Sequence, residues 1–371
     1  MPETVLITGG AGFIGSHLAD ELLAHGCRVR VLDSLVDQVH EGADRPPYLA
    51  EDVELHVGDV RDRDALDAAL RGVDSVVHFA ARVGVGQSMY EIGEYCSANT
   101  SATGVLLDAL LETPVRKLLV ASSMSVYGEG LYADTAGKPV VVPERTRAQL
   151  ERGEWDPVGP AGESLEPVPT PETKPPALSS VYALTKYDQE RLCLLFGQAY
   201  DVPTVALRFF NVYGTRQALS NPYTGVLAIF AARYLNGRAP LVFEDGHQRR
   251  DFVSVGDVAR ACRLALERDG ADGRVVNVGS GRSVSVLEIA ASLAEQLGAR
   301  TPAPEVTGKA RAGDIRHCFA DVGLARELLG FEAQVELEDG LRELAAWLEG
   351  RVASDRIDDA TQELAARGLT V

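Results

Sequence analysis

The segment Thr8-Gly9-Gly10-Ala11-Gly12-Phe13-Ile14-Gly15 constrains this chain more than any other stretch of it. It follows an apolar, strand-like run at residues 5–8 and opens an amphipathic run at 13–24. Glycines recur at every third position, 9, 12 and 15. A turn of this kind lets the backbone approach a pyrophosphate, and the helix that follows offers free N–H donors and the positive end of its dipole. By itself the pattern fits any strand-to-helix turn, so its surroundings must decide.

Those surroundings alternate. Residues 28–33, 53–57, 75–79, 117–121 and 205–209 read as further strands, and 62–70, 100–111 and 181–199 as further helices. Such alternation predicts an α/β fold, a doubly wound parallel sheet wrapped by helices. After Asn211 the elements become shorter and mixed: helices at 226–235, 257–268 and 286–297, and strands at 241–243 and 275–278. The expected organisation is a dinucleotide-binding domain over 1–210, a smaller mixed α/β substrate lobe over 211–350 whose elements interleave with the first, and a charged helical tail over 351–371. Residues 129–178 break the pattern with Pro, Gly and charge, and read as an inserted, solvated loop.

A net charge of −18 excludes nucleic acid and anionic membrane surfaces as partners, since both need a basic footprint. No run of 18 apolar residues occurs, and Met1 leads almost directly into Val5-Leu6-Ile7, so a cytoplasmic protein is expected. The five cysteines stand apart with no C-x-x-C pair, which gives neither a disulfide framework nor a metal centre.

The second strand ends at Asp33, 18 residues beyond Gly15. A carboxylate there accepts hydrogen bonds from the adenosine ribose and repels a 2′-phosphate, so the expected cofactor is NAD rather than NADP. Asp59 follows the third strand, where it can reach the adenine, and Ala80-Ala81 keep the surface small after the fourth.

Tyr182 and Lys186 lie four apart at the start of a helix, on one face and one turn from each other. A free tyrosine titrates near pH 10, so a tyrosine base working near pH 7 needs a cation beside it. Ser123 ends the fifth strand, at the carboxyl edge where open α/β sheets bind ligands, and can orient or relay a proton.

The glycine-rich turn, Ser-x-x-Val-Tyr-Gly at 123–128, Tyr-x-x-x-Lys at 182–186 and Arg208-Phe209-Phe210-Asn211-Val212-Tyr213-Gly214 together resemble the extended short-chain dehydrogenase/reductase superfamily of sugar-nucleotide enzymes. The resemblance implies a Rossmann-type domain, bound NAD, a Ser123/Tyr182/Lys186 centre and a homodimer. It adds Phe13, Ile14, Val60 and Asn99 to the residues about the cofactor. It places the substrate, a dTDP- or UDP-linked sugar, against Ser88, Asn211, Val226, Leu227, Phe243, Arg250, Arg311 and Asp314. In that pattern the two arginines hold the diphosphate and Phe243 packs on the base, while the 82–88 loop lines the sugar pocket. Ser123 and Tyr182 stand farther apart than in UDP-galactose 4-epimerase-like relatives, and the insertion accounts for the excess.

Relatives that dehydrate a hexose carry Thr-Asp-Glu-Val before the Tyr-Gly pair, and decarboxylating relatives keep the Glu. Here the positions read Ser123-Met124-Ser125-Val126. Without the extra acid and base the site is equipped for hydride transfer alone, which implies a 4-epimerase. The insertion, the 82–91 loop and the 216–223 segment are most similar to dTDP-L-rhamnose 4-epimerase-like proteins, pointing to a 6-deoxyhexose. A ketoreductase using NAD(P)H, a dehydratase or decarboxylase, and a non-catalytic NAD-sensing scaffold are the alternatives.

Overall fold

The computed structural model describes residues 2–40, 42, 44–298, 301–311, 313–351 and 354–370. Ala312 of the 311–314 segment and Val352, Ala353 and Val371 of the tail lie outside the described residues. Seven strands form one parallel sheet: β1 (Thr4–Thr8), β2 (Arg28–Asp33), β3 (Glu54–Val57), β4 (Ser75–His78), β5 (Lys117–Ser123), β6 (Thr204–Phe209) and β7 (Val275–Val278). Their order across the sheet is β7-β6-β5-β4-β1-β2-β3, so the winding reverses between β1 and β4. β1, β4, β5 and β6 are buried along their whole length, which is why their sequences are continuous apolar runs rather than alternating ones. The carboxyl ends of β1 and β4 meet at the switch point, where such sheets bind ligands.

Helices α1 (Phe13–Ala24), α2 (Arg63–Leu70), α3 (Ala102–Glu112) and α4 (Val181–Tyr200) cover the faces. The expected helix at 100–111 starts earlier than its periodicity shows, because a π-helical turn, Cys96–Ser101, runs directly into α3. Asn99 sits in that turn with its side chain fully enclosed: Oδ1 accepts the Arg82 amide and Nδ2 donates to Thr185 Oγ1. A π turn re-aims one residue out of the helical register, and here that residue ties the 82–88 loop to α4.

From the later part of the chain, β7 joins the edge of the main sheet beside β6, and α6 (Val255–Glu267) packs across α1. Apart from these, α5 (Val226–Leu235), α7 (Val286–Leu297) and α8 (Leu337–Leu348) share a separate apolar core around Phe230, Leu293 and Leu344. The tail carries helix α9 (Ile357–Ala366). No described helix is long and apolar enough to cross a membrane.

The 129–178 stretch is more ordered than a solvated loop. It holds a three-stranded antiparallel sheet, Leu131–Ala133 flanked by Pro139–Val140 and Glu166–Val168, and a short helix, Arg147–Glu151. Tyr132, Val142 and Leu165 bury themselves beneath it. Strands of two or three residues between prolines leave no period-2 pattern in a sequence, so pattern alone misses them.

Candidate active site

One cavity of about 820 Å3 runs from the glycine-rich turn, past the ends of β4 and β5, to the α5 and Phe243 region. The turn forms its floor. Gly9 has φ +69°, and a methyl built there would come within 2.7 Å of the Ala80 amide; one built on Gly15 would come within 2.5 Å of Gly10 Cα. Gly12 caps α1 without a side-chain bond, leaving the first N–H groups of the helix for a ligand. Asp33 lies beside them. Its Oδ2 accepts the Ala11 amide and its Oδ1 the Leu35 amide, each at 3.0 Å. Asp59, which also lines the cavity, pairs with Arg61 at 2.7 Å. Phe13, Ile14, Val60, Ala80 and Ala81 complete this half of the wall. A narrow glycine floor, an uncapped helix start and a carboxylate at the end of β2 fit an NAD dinucleotide.

Tyr182, Lys186 and Ser123 converge on the same cavity. Ser180 begins α4 by accepting the Ala183 amide at 3.1 Å, which sets Tyr182 in the first turn. The helix is locked to the sheet by a buried ion pair: Glu190 accepts Arg208 Nε at 2.8 Å and Nη2 at 2.7 Å, and also the Ser122 hydroxyl at 2.7 Å. Arg208 is one of the residues of β6 and Ser122 one of β5, so this pair fixes Ser123 against Tyr182. Burial pushes the Tyr182 phenol up from its ordinary value, and a hydrogen bond with Ser123 pulls it back.

Lys186 is 3% exposed, and burial lowers it to about 8. Its Nζ donates to Gln189 Oε1 at 2.7 Å. Gln189 in turn donates to His78 Nε2 and Thr103 Oγ1, each at 3.0 Å, and His78 Nδ1 meets Thr8 Oγ1 at 2.8 Å. Burial and the nearby Lys186 charge lower His78 to about 3, so the imidazole is neutral. The lysine expected beside the phenol therefore rests on a neutral chain of side chains beneath the cavity floor. Gln189 could have been found from its place three residues beyond Lys186 on the same face of α4; nothing in the sequence points to His78.

Two expected contact residues stand behind the wall. Ser88 is fully buried, donating to the Val85 carbonyl at 2.6 Å and accepting the Tyr182 amide at 3.0 Å. Asn99 is likewise enclosed in its π turn. Both hold the elements that carry Tyr182 and the 82–88 loop, while Gln87 of that loop does reach the cavity.

At the far end Val226 and Leu227 line the cavity where α5 begins, again without a side-chain cap. The Arg311 guanidinium lies 4.5 Å from the centre of the Phe243 ring and pairs with Asp314 at 2.9 Å. Arg250 lines the same end and donates to the carbonyls of Ile315 and Arg316. Asn211, Gln217 and Gln248 line the cavity, and the amide oxygen of each is buried without a protein partner.

The insertion supports this end. Arg145 donates to Glu244 at 2.7 Å and to the Asp314 carbonyl at 2.9 Å, and lies 3.2 Å from Glu129. Glu244 directly follows Phe243, is fully buried and has φ +54°, a conformation a glutamate adopts only when its surroundings hold it. Arg316 completes the cluster through Asp156, Glu244 and Asp245. Sequence reasoning missed Arg145, Glu244 and Arg316, which are brought together only by the fold.

The sequence pattern of the NAD dependent epimerase/dehydratase family matches residues 5–148 and 157–279. A dTDP-L-rhamnose 4-epimerase of Burkholderia thailandensis is 38% identical over 350 residues, spanning 93% of this chain and 95% of that one. Among solved structures, a UDP-glucose 4-epimerase of Thermotoga maritima with UDP-glucose superposes with a TM-score of 0.75 at 30% identity, covering 93% of this chain and 98% of that one. A Thermus thermophilus UDP-glucose 4-epimerase in complex with NAD gives 0.73 at 31%, covering 94% and 100%.

Proposed function

The chain belongs to the NAD dependent epimerase/dehydratase family, and on that premise we propose that it is an NAD-dependent nucleotide-diphosphate-sugar 4-epimerase acting on a dTDP-6-deoxyhexose or a UDP-hexose. One observation carries the proposal: the Tyr182 phenol bonded to Ser123 with Lys186 one turn below, at a cavity where Met124 and Ser125 stand in place of a second acid and base. Bound NAD supplies a reversible acceptor for the C4 hydride. Tyr182 takes the C4 hydroxyl proton, with Ser123 orienting the phenol and opposing the rise that burial imposes on it. The 4-keto sugar turns over and is reduced on its other face, with Tyr182 returning the proton.

The sugar must rotate while its nucleotide stays fixed, so binding has to concentrate on the diphosphate and base. Arg250, Arg311, the uncapped start of α5 and the Asn211 amide suit the diphosphate, and Phe243 suits the base. Asp33 opposes a 2′-phosphate, which weighs against the NADPH-dependent ketoreductase reading.

The protein is proposed to act in the cytoplasm, where its five free cysteines stay reduced, and as a homodimer. Leu184 and Leu195 are exposed on one face of α4, and Leu111 is exposed on the neighbouring α3, apolar surface suited to a second copy. Light scattering at twice the chain mass is expected, and a monomer would remove the dimer from the proposal.

The decisive experiment is proton NMR in deuterated water with dTDP-L-rhamnose and then UDP-hexoses, no NAD being added. A C4 epimer without carbon-bound deuterium is the expected product. A 4-keto or C5-deuterated product would replace the proposal with dehydratase chemistry, and turnover only with NADPH would replace it with the ketoreductase.

A further inference from the structure

The helix α9 lies across the substrate half of the cavity. Ile357, Ala360 and Leu364, spaced by three and four, form its buried face, and all three line the cavity together with Leu369. Its outward face carries Asp358, Asp359 and Glu363. An amphipathic helix that turns its apolar stripe into a ligand cavity is a wall of that cavity.

Both ends are anchored to residues of the site or to its supports. Asp358 pairs with Arg233 of α5 at 2.7 Å and with Arg238 at 2.9 Å. Beyond the helix, the Arg367 guanidinium lies 4.5 Å from the centre of the Tyr90 ring, whose hydroxyl meets that of Tyr223 at 2.5 Å. Thr370 then forms an antiparallel bridge with Arg311, the residue stacked on Phe243. The segment thus spans from the supports of α5 to the nucleotide end.

Between these anchors Leu364 covers Gly86. A methyl built on Gly86 would lie 3.4 Å from both Leu364 Cδ atoms, so the leucine packs directly on this loop. Two residues on, Ser88 holds the amide of Tyr182. Leu364 therefore stands at the sugar end of the cavity, beside the loop that positions the base. On that wall Ile357, Leu364 and Leu369 offer methyl groups, and Thr361 is the one residue of α9 that lines the cavity with a side-chain hydroxyl.

We propose that residues 357–370 close the sugar subsite, and that Ile357, Leu364 and Leu369 make it select a hexose bearing a methyl rather than a hydroxymethyl group at C5. The inference rests on the nucleotide-sugar proposal and deepens it by naming the sugar class. A hydroxyl pressed against these three side chains loses its water without gaining a partner, whereas a methyl fills the space. Discrimination by an apolar surface of this kind is modest, about 10- to 100-fold.

The test compares sugar pairs that differ only in the C6 hydroxyl: dTDP-L-rhamnose with dTDP-L-mannose, and dTDP-D-fucose with dTDP-D-galactose. Affinity by calorimetry and kcat/KM are both measured, for the full-length protein and for Leu364→Asn, Leu369→Asn and Leu364→Met. The native protein is expected to favour the deoxy sugar of at least one pair at least tenfold. Either Asn variant should bring that ratio below threefold with the affinity for dTDP alone unchanged, and Leu364→Met should restore it. If an Asn variant fails to fold, the other supplies the result. No preference in either pair, or a preference unmoved by every folded Asn variant, overturns the proposal. Calorimetry separates the two proposals: a deoxy preference in binding without epimerisation keeps the apolar wall and discards the 4-epimerase, and epimerisation without preference does the reverse.

Discussion

At pH 7 the Lys186 ammonium sits where its surroundings oppose its charge. Burial draws it from 10.5 to about 8, and its ammonium donates to a neutral amide, Gln189. Because the folded pKa lies below the unfolded one, the unfolded chain binds more protons between pH 8 and 10.5, and stability rises with pH across that window. Below pH 8 the full penalty is present, of roughly 3 kcal/mol for a shift of this size. Lys186→Met is therefore expected to inactivate the enzyme yet make the cofactor-free protein more stable at pH 7, by roughly 1–3 kcal/mol. The gain should shrink as pH rises from 8 toward 10.5. Urea denaturation at several pH values checks this, and a variant less stable at pH 7 would refute it. Ser123, Tyr182 and Lys186, the three proposed to do the chemistry, were legible in the sequence because each lies in a short local motif. Gln189, His78 and Thr103 were not, because the chain joining them to Lys186 draws on α4, β4 and α3.

Elements were legible in proportion to their length and burial. The long helix α4 announces itself by its length and the buried strands of the parallel sheet by their apolar runs, while the two- and three-residue strands of the insertion do neither. The insertion's contribution is equally nonlocal. Its Arg145 reaches Glu244, 99 residues away, and holds the backbone that presents Phe243. Arg145→Leu would leave Glu129 and Glu244 short of a partner in a buried cluster, and removing one member of such a pair costs about 3–5 kcal/mol. The expected outcome is a loss of that order in thermal or urea unfolding, together with a raised KM at 25 °C and NAD content retained. Unchanged KM in a folded variant would show that the insertion does not support the base platform. Two elements that read as accessories, the insertion and the tail, thus both reach the 311–314 segment, Arg145 at the Asp314 carbonyl and Thr370 at Arg311.

Over the whole molecule, charge and task are in tension. The chain carries −18 overall, yet the proposed substrate is a dianion. Arg311 is paired with Asp314 and Arg250 is bonded to main-chain carbonyls, so the long-range field is set by the surplus of carboxylates. Repulsion of this kind is screened within about 10 Å at 0.1 M salt. In a low-salt series kcat/KM is expected to rise as ionic strength increases from about 10 to 100 mM, by roughly twofold, with kcat little changed. A fall would mean that the arginines steer the substrate from a distance.

Asp33 has a consequence for how this protein can change over time. Its two oxygens brace the amide of Ala11 in the glycine-rich turn and that of Leu35, a residue held at φ +49°. The carboxylate proposed to reject a 2′-phosphate is thus also a strut of the surface on which any dinucleotide would lie. A mutation that tries to open the protein to a phosphorylated cofactor at this position first strips two amides of their partner and loosens the bed for both cofactors. The path between the two preferences therefore passes through a form that binds neither well, unless the amides are braced beforehand. Cofactor choice here is an epistatic lock, and a lineage that keeps Asp33 is held there by architecture as well as by selection on the ligand.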